Sequence, residues 1–271
     1  MALTEEDVVC IKASSVGIDQ NASFIAKFTE NTWQKNRGLK EKTRDTAQGK
    51  NAELAVIHFL DSNGKIGYIA YDDFRDDGFE KHAPFDGILF NKTIETNIVK
   101  TIIADVNNEV HLSKYGEISA TLREKIKRQN VYCVEIKSTK INEKKMYNKE
   151  VSIDSILNDD FLTYPLYARS GYYSTESYIF LAKKRLNLSG WIDMPELKKI
   201  VFENEERNNS DIFIRVYVSP DNYYLIGYMN GHDLLSNGII KKMPKLGKST
   251  NALYFAKSLR NGRPMKELFN I

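Results

Sequence analysis

Glu135 and Lys137 stand two residues apart at the end of the apolar run Val131-Tyr132-Cys133-Val134-Glu135-Ile136-Lys137. In a strand, side chains alternate between faces, so Cys133, Glu135 and Lys137 point one way and Tyr132, Val134 and Ile136 the other. A carboxylate and an ammonium then look into the same space. Charges at the end of a core strand are costly unless they pair, bind a metal ion or take part in a reaction. Two more acids widen the choice. Asp86 stands in Pro84-Phe85-Asp86 at the head of a second apolar run, Gly87-Ile88-Leu89-Phe90, and Glu53 interrupts an otherwise apolar helix. Taken alone, Glu53 is a first-turn acid complementing a helix dipole, and Glu135 with Lys137 is a salt bridge closing a sheet. Taken together, carboxylates on two strands and a helix form an oxygen-donor set suited to a hard divalent cation.

The elements that must position these groups follow from periodicity and turn chemistry. Asp45 is a candidate cap for an apolar helix over residues 52–60, which stops at the turn Asp61-Ser62-Asn63-Gly64. A strand is expected over 66–74, running into an acidic loop at 72–77, and a second strand begins at Pro84. Residues 98–112 read as further strand and 117–129 as helix leading into the central strand. A polar, basic surface loop is expected over 138–145. Tyr164, Tyr167, Tyr172, Tyr173 and Tyr178 cluster around Arg169, as either base-stacking or core residues. Beyond them come a strand over 178–182, a short helix over 195–201, strands over 212–218 and 223–228, and a helix over 252–259; a further helix is expected over 22–33. The segments are an N-terminal helical and basic piece (1–44), a core (45–182) and a C-terminal extension (183–271) packed on that core.

With 271 residues, 42% hydrophobic and 28% charged, the chain can bury a large core. It has no apolar run long enough for a membrane span and no basic start followed by an apolar block, so the expectation is a soluble, unexported, cytoplasmic protein. Cys10 and Cys133 are expected to be unpaired thiols. The net charge of +3 is modest, but its distribution is uneven. Residues 34–50 carry six basic residues against two acidic, 122–150 nine against four, and 239–271 eight against one. This predicts a basic side, suited to a polyanion, and an acidic side. Gly247-Lys248-Ser249-Thr250 mimics the end of a phosphate-binding loop, but Lys242 stands where the first glycine would be. The four histidines lack metal-ligand spacing, although His82 lies close enough to Asp86 to be a candidate substrate contact.

Pro84-Phe85-Asp86 opening one strand, Glu135-Ile136-Lys137 ending another 49 positions on from Asp86, and Glu53 on an upstream helix together resemble the PD-(D/E)xK nuclease superfamily. That superfamily includes most type II restriction endonucleases. The resemblance covers residues 45–182; the chain departs from the tidy pattern in having Phe85 between proline and acid and in its long span between motifs. It implies an α/β fold with a restriction-endonuclease-like core, a mixed central β-sheet flanked by helices, and added C-terminal α+β elements. It also implies a Mg²⁺-dependent endonuclease, with Mn²⁺ able to substitute, that cuts double-stranded DNA as a homodimer. Asp86 and Glu135 would then be metal ligands with the Ile136 carbonyl as a third oxygen, Lys137 would orient the water or stabilise the transition state, and Glu53 would reach a second metal. The chemistry is consistent, because phosphodiester hydrolysis needs charge neutralised on the phosphate and a water activated. By residue type, Lys140, Arg169, Lys248, Arg260, Asn261 and Arg263 are candidate DNA contacts. The alternatives are a repair, recombination or phage nuclease with little sequence preference, and an inactive DNA-binding or interaction protein.

Overall fold

The structure is a computed structural model and describes residues 2–17, 25, 39–141, 152–167, 174–236, 239–244 and 251–271. In chain order its elements are β1 (Val9–Lys12), α1 (Leu39–Asp61), β2 (Ile66–Ala70), α2 (Tyr71–Phe74), β3 (Gly87–Asn91), α3 (Thr96–Leu112), α4 (Ala120–Arg128) and β4 (Val131–Lys140). There follow α5 (Ile153–Leu157), β5 (Asp160–Thr163), α6 (Thr175–Arg185), α7 (Met194–Asn208), β6 (Ile212–Val218), β7 (Asn222–Asn230), α8 (Gly231–Leu235), β8 (Ile239–Pro244) and β9 (Asn251–Ser258).

Six strands form a mixed sheet in the order β1-β7-β6-β4-β3-β2, in which β4 and β6 run parallel and every other neighbouring pair antiparallel. Parallel neighbours need a crossover, and the chain between β4 and β6 supplies α5, α6 and α7. The antiparallel sheet β5-β9-β8 is separate. All three sequence segments feed the larger sheet, which takes β1 from residues 1–44 and β6 and β7 from 183–271.

Strand alternation sorts the core into layers. Ala52, Ala55, Val56 and Leu60 of α1 pack on Leu89, Val134, Ile212 and Ile214 on one face. The opposite face of β3 and β4 offers Ile88, Val131 and Cys133 to α3 and α4, while Phe213 and Tyr217 of β6 meet Leu197, Val201 and Phe202 of α7. Cys133 thus faces away from Val134 and Ile136, as alternation requires. It is buried, Cys10 is exposed, and both are free thiols.

Several element readings need correction. Residues 98–112 lie in helix α3, not a strand, because Val99, Ile102, Val106 and Val110 recur every three or four positions along one buried stripe. Residues 178–182 belong to helix α6, whose Ser174 side chain accepts the Ser177 N–H at its start. Residues 252–259 fall mostly in strand β9, held by pairing with both β5 and β8. The strand expected over 66–74 stops at Ala70, where the chain turns into α2. β3 begins at Gly87, just past Asp86, and α1 begins at Leu39, which puts Asp45 inside the helix rather than at its cap. β4 runs on through Ser138, Thr139 and Lys140 because β6 pairs with it that far. The helix expected over 22–33 falls, Ile25 apart, outside the described residues.

Gly87 is where the sheet meets the site. A Cβ there would lie 2.4 Å from the Tyr68 ring and hydroxyl and 2.8 Å from the Ile69 carbonyl oxygen. Gly87→Ala is therefore expected to destabilise the chain by about 1–3 kcal/mol, the usual cost of overpacking, read as a lower urea midpoint at unchanged slope. A midpoint equal to wild type would contradict this close crossing.

Candidate active site

Asp86 is fixed by backbone bonds on both sides. Its N–H donates to the Val134 carbonyl (2.9 Å) and its carbonyl accepts the Tyr71 N–H (2.8 Å). The neighbouring Phe85 is buried edge-on to Tyr71, with ring centres 5.7 Å apart, and Arg123 donates to the Pro84 carbonyl (2.9 Å). So anchored, the Asp86 carboxylate accepts the Ile136 N–H through Oδ2 at 2.5 Å. The N–H and C=O of a strand residue face the same side, so the Ile136 carbonyl also points toward Asp86, past the end of β3. Glu135 and Lys137 flank that residue and form an ion pair with each other.

Asp86, Glu135 and Lys137 line one cleft of about 580 Å³, whose other walls carry Lys50, Asp72, Arg75, His82 and Tyr164. Tyr164 follows β5; its ring centre is 5.9 Å from the Lys137 ammonium and 4.5 Å from the ring of Tyr254 on β9. Glu205 of α7, fully buried, accepts the Leu166 N–H (3.0 Å) and the Tyr178 hydroxyl, and so braces the turn after Tyr164.

Glu53 lies beside this cleft and is buried. It accepts the Tyr68 hydroxyl on Oε1 (2.9 Å) and pairs through Oε2 with Lys50 (2.6 Å). Lys50 also reaches Asp72 (2.5 Å), and Arg75 bridges Asp72 (3.0 Å) and Asp77 (2.7 Å). Sequence reasoning missed Lys50, Tyr68 and Asp72. The signal for Lys50 was its spacing, since a residue three before Glu53 shares its helix face.

Burial above all, then the nearby Glu135 charge, pushes the Asp86 carboxyl up to about 8, against the opposing pull of Lys137. Burial also raises Glu53. Lys137 stays charged: burial works against its ammonium, but Glu135 and Asp86 outweigh that and hold its pKa above the ordinary lysine value. Among the described residues, no three His, Cys, Asp or Glu side chains converge into a metal cage. Asp86, Glu135 and the Ile136 carbonyl still fit Mg²⁺, which takes one or two carboxylates and keeps several waters. Two mutually repelling carboxylates in one wall also favour a cation between them.

The expected DNA contacts fare unevenly. Lys140 is exposed at the end of β4, three residues beyond Lys137. Arg260 is held by Asp154 (2.5 Å) and Asn158 (3.1 Å), at the end of β9 away from Tyr254. Asn261 is exposed, and Arg263 is exposed and 3.6 Å from Asp233. Arg169 and Lys248 lie outside the described residues. No described helix is long and apolar enough to cross a membrane. No protein family, curated protein or solved structure matches the chain.

An acid whose folded-state pKa lies above its unfolded value favours folding at low pH, and that contribution is lost as pH rises from about 4 toward about 8. In metal-free buffer, Asp86→Asn should therefore stabilise the chain relative to wild type at about pH 9 and much less at about pH 5. Urea melts at the two pH values read this; an identical difference at both would contradict the raised Asp86.

Proposed function

We propose that the chain is a Mg²⁺-dependent endonuclease that hydrolyses phosphodiester bonds in double-stranded DNA, of the type II restriction kind. The observation that carries this reading is the convergence of Asp86, Glu135 and Lys137 in one cleft, at the mouth of the β3–β4 pair. The order of helix α1, hairpin β2–β3 and strand β4 in a mixed sheet supports it, since this is the arrangement the PD-(D/E)xK resemblance implies. Duplex DNA presents two antiparallel strands, so double-strand cutting calls for a two-fold homodimer.

Asp86, Glu135 and the Ile136 carbonyl would hold the ion. An ion held there would supply charge neutralisation at the phosphate and activation of a water. Lys137, beside Glu135 in the same cleft, would orient the attacking water or stabilise the charge that develops on the phosphate. The Tyr164 ring stands over the ammonium at 5.9 Å. The basic residues near β4 and in the C-terminal segment would neutralise DNA phosphates.

A second reading keeps this chemistry with little sequence preference, as in repair, recombination or phage nucleases. It is favoured by Arg260, whose guanidinium is occupied by Asp154 and Asn158 rather than free for a base edge. On a fully sequenced phage DNA, discrete fragments support the restriction reading and a smear supports this second one.

Asp86→Ala and Glu135→Ala should each lower the single-turnover cleavage rate by at least about 10²-fold, and Lys137→Ala by about 10²-fold, the scale for losing one group that stabilises the transition state. Duplex affinity of these variants, by fluorescence anisotropy in Ca²⁺, should stay within a few-fold of wild type. Near-wild-type cleavage by Asp86→Ala or Glu135→Ala would contradict the assignment, and unchanged cleavage by Lys137→Ala would reduce that residue to a salt bridge. Duplex affinity should also fall steeply with salt, since each neutralised phosphate contributes about 0.9 to the log–log slope. A flat dependence would argue against a nucleic-acid partner.

A further inference from the structure

We infer that the site works with a single divalent ion, and that the ammonium of Lys50 stands in the place a second ion would take. The inference rests on the nuclease reading above and concerns the acids which that reading leaves without a metal. Lys50 Nζ lies 2.6 Å from Glu53 Oε2 and 2.5 Å from Asp72 Oδ2, one cation bridging two carboxylates on different elements. All three side chains are largely withdrawn from solvent, with 17% of Lys50, 7% of Glu53 and 18% of Asp72 exposed. Lys50 and Asp72 line the cleft and Glu53 sits behind them, so Glu53 would reach an ion in the cleft only by releasing Lys50. The other oxygen of Glu53 is taken by the Tyr68 hydroxyl and the other oxygen of Asp72 by Arg75. Among the described residues, Asp86 by contrast has no basic side chain at ion-pair distance, its partner being the Ile136 N–H. The acids thus divide into Glu53 and Asp72, which share one lysine between them, and Asp86 with Glu135, of which only Glu135 holds a lysine, Lys137. Although burial works against its charge, Glu53 and Asp72 keep the Lys50 amine protonated.

Counting Mn²⁺ bound to the full-length protein, by the electron paramagnetic resonance signal of the free ion, tests this without reference to activity. Wild type should bind one Mn²⁺ per chain. Asp86→Asn should bind none, and Glu53→Gln should still bind one. Lys50→Met keeps the apolar stem and removes the charge, and should raise the count to two; Lys50→Arg should leave it at one. Adding Glu53→Gln to Lys50→Met should return it to one. Two ions in wild type, or one ion in a Lys50→Met protein that melts as wild type does, would overturn the proposal. If Lys50→Met does not fold, the wild-type and Glu53→Gln counts decide: one ion in each upholds it, and two in wild type or none in Glu53→Gln overturns it. No ion in wild type would instead remove the metal-dependent nuclease reading itself, and this inference with it.

Discussion

Two carboxylates held side by side in the wall of one cleft repel each other, and much of the surrounding structure answers that repulsion. Asp86 cannot move away, because its own N–H and carbonyl are tied to Val134 and Tyr71 and its side chain to the Ile136 N–H. Glu135 is part of the same rigid strand. Burial first, and the Glu135 charge after it, push the Asp86 carboxyl up. A structural role alone would be served as well by an apolar pair, since buried charge seldom adds stability. The arrangement gains value when a cation shares the two acids.

Around Asp86 the other acids are neutralised from within. Glu135 faces Lys137, Glu53 and Asp72 share Lys50, and Asp72 and Asp77 share Arg75. The cations come from α1, from Arg75 just past α2 and from β4, so the cleft depends on how these pieces are docked rather than on any one of them. Gly87 leaves room for Tyr68 of β2 to pass over β3 and reach Glu53. The tyrosine wall is held from the far side, through Glu205 and the turn after Tyr164.

The clustering of Asp86, Glu135 and Lys137 was legible because it depends on strand alternation and local composition. Glu135 and Lys137 had to share a face, and Asp86 had to open the neighbouring strand. What was illegible depends on tertiary contact. Residues 98–112 are rich in Ile and Val, which read as strand by composition, yet their buried stripe is helical. Residues 252–259 hold good helix formers, yet two neighbouring strands capture them. Lys50 counted as one more charge in a basic stretch, when in the fold it turns inward to two acids. Arg260 looked suited to reading a base, but its partners Asp154 and Asn158 lie about a hundred residues earlier in the chain, where no local pattern announces them.

The most direct measurement is the fate of supercoiled plasmid incubated with the purified wild-type protein in Mg²⁺, in Mn²⁺ and in EDTA. The arrangement of Asp86, Glu135 and Lys137 predicts nicked and linear products in either metal, with new ends carrying phosphate and hydroxyl groups, and intact plasmid in EDTA. Plasmid left intact in both metals by a folded protein, or cut equally well in EDTA, would contradict it.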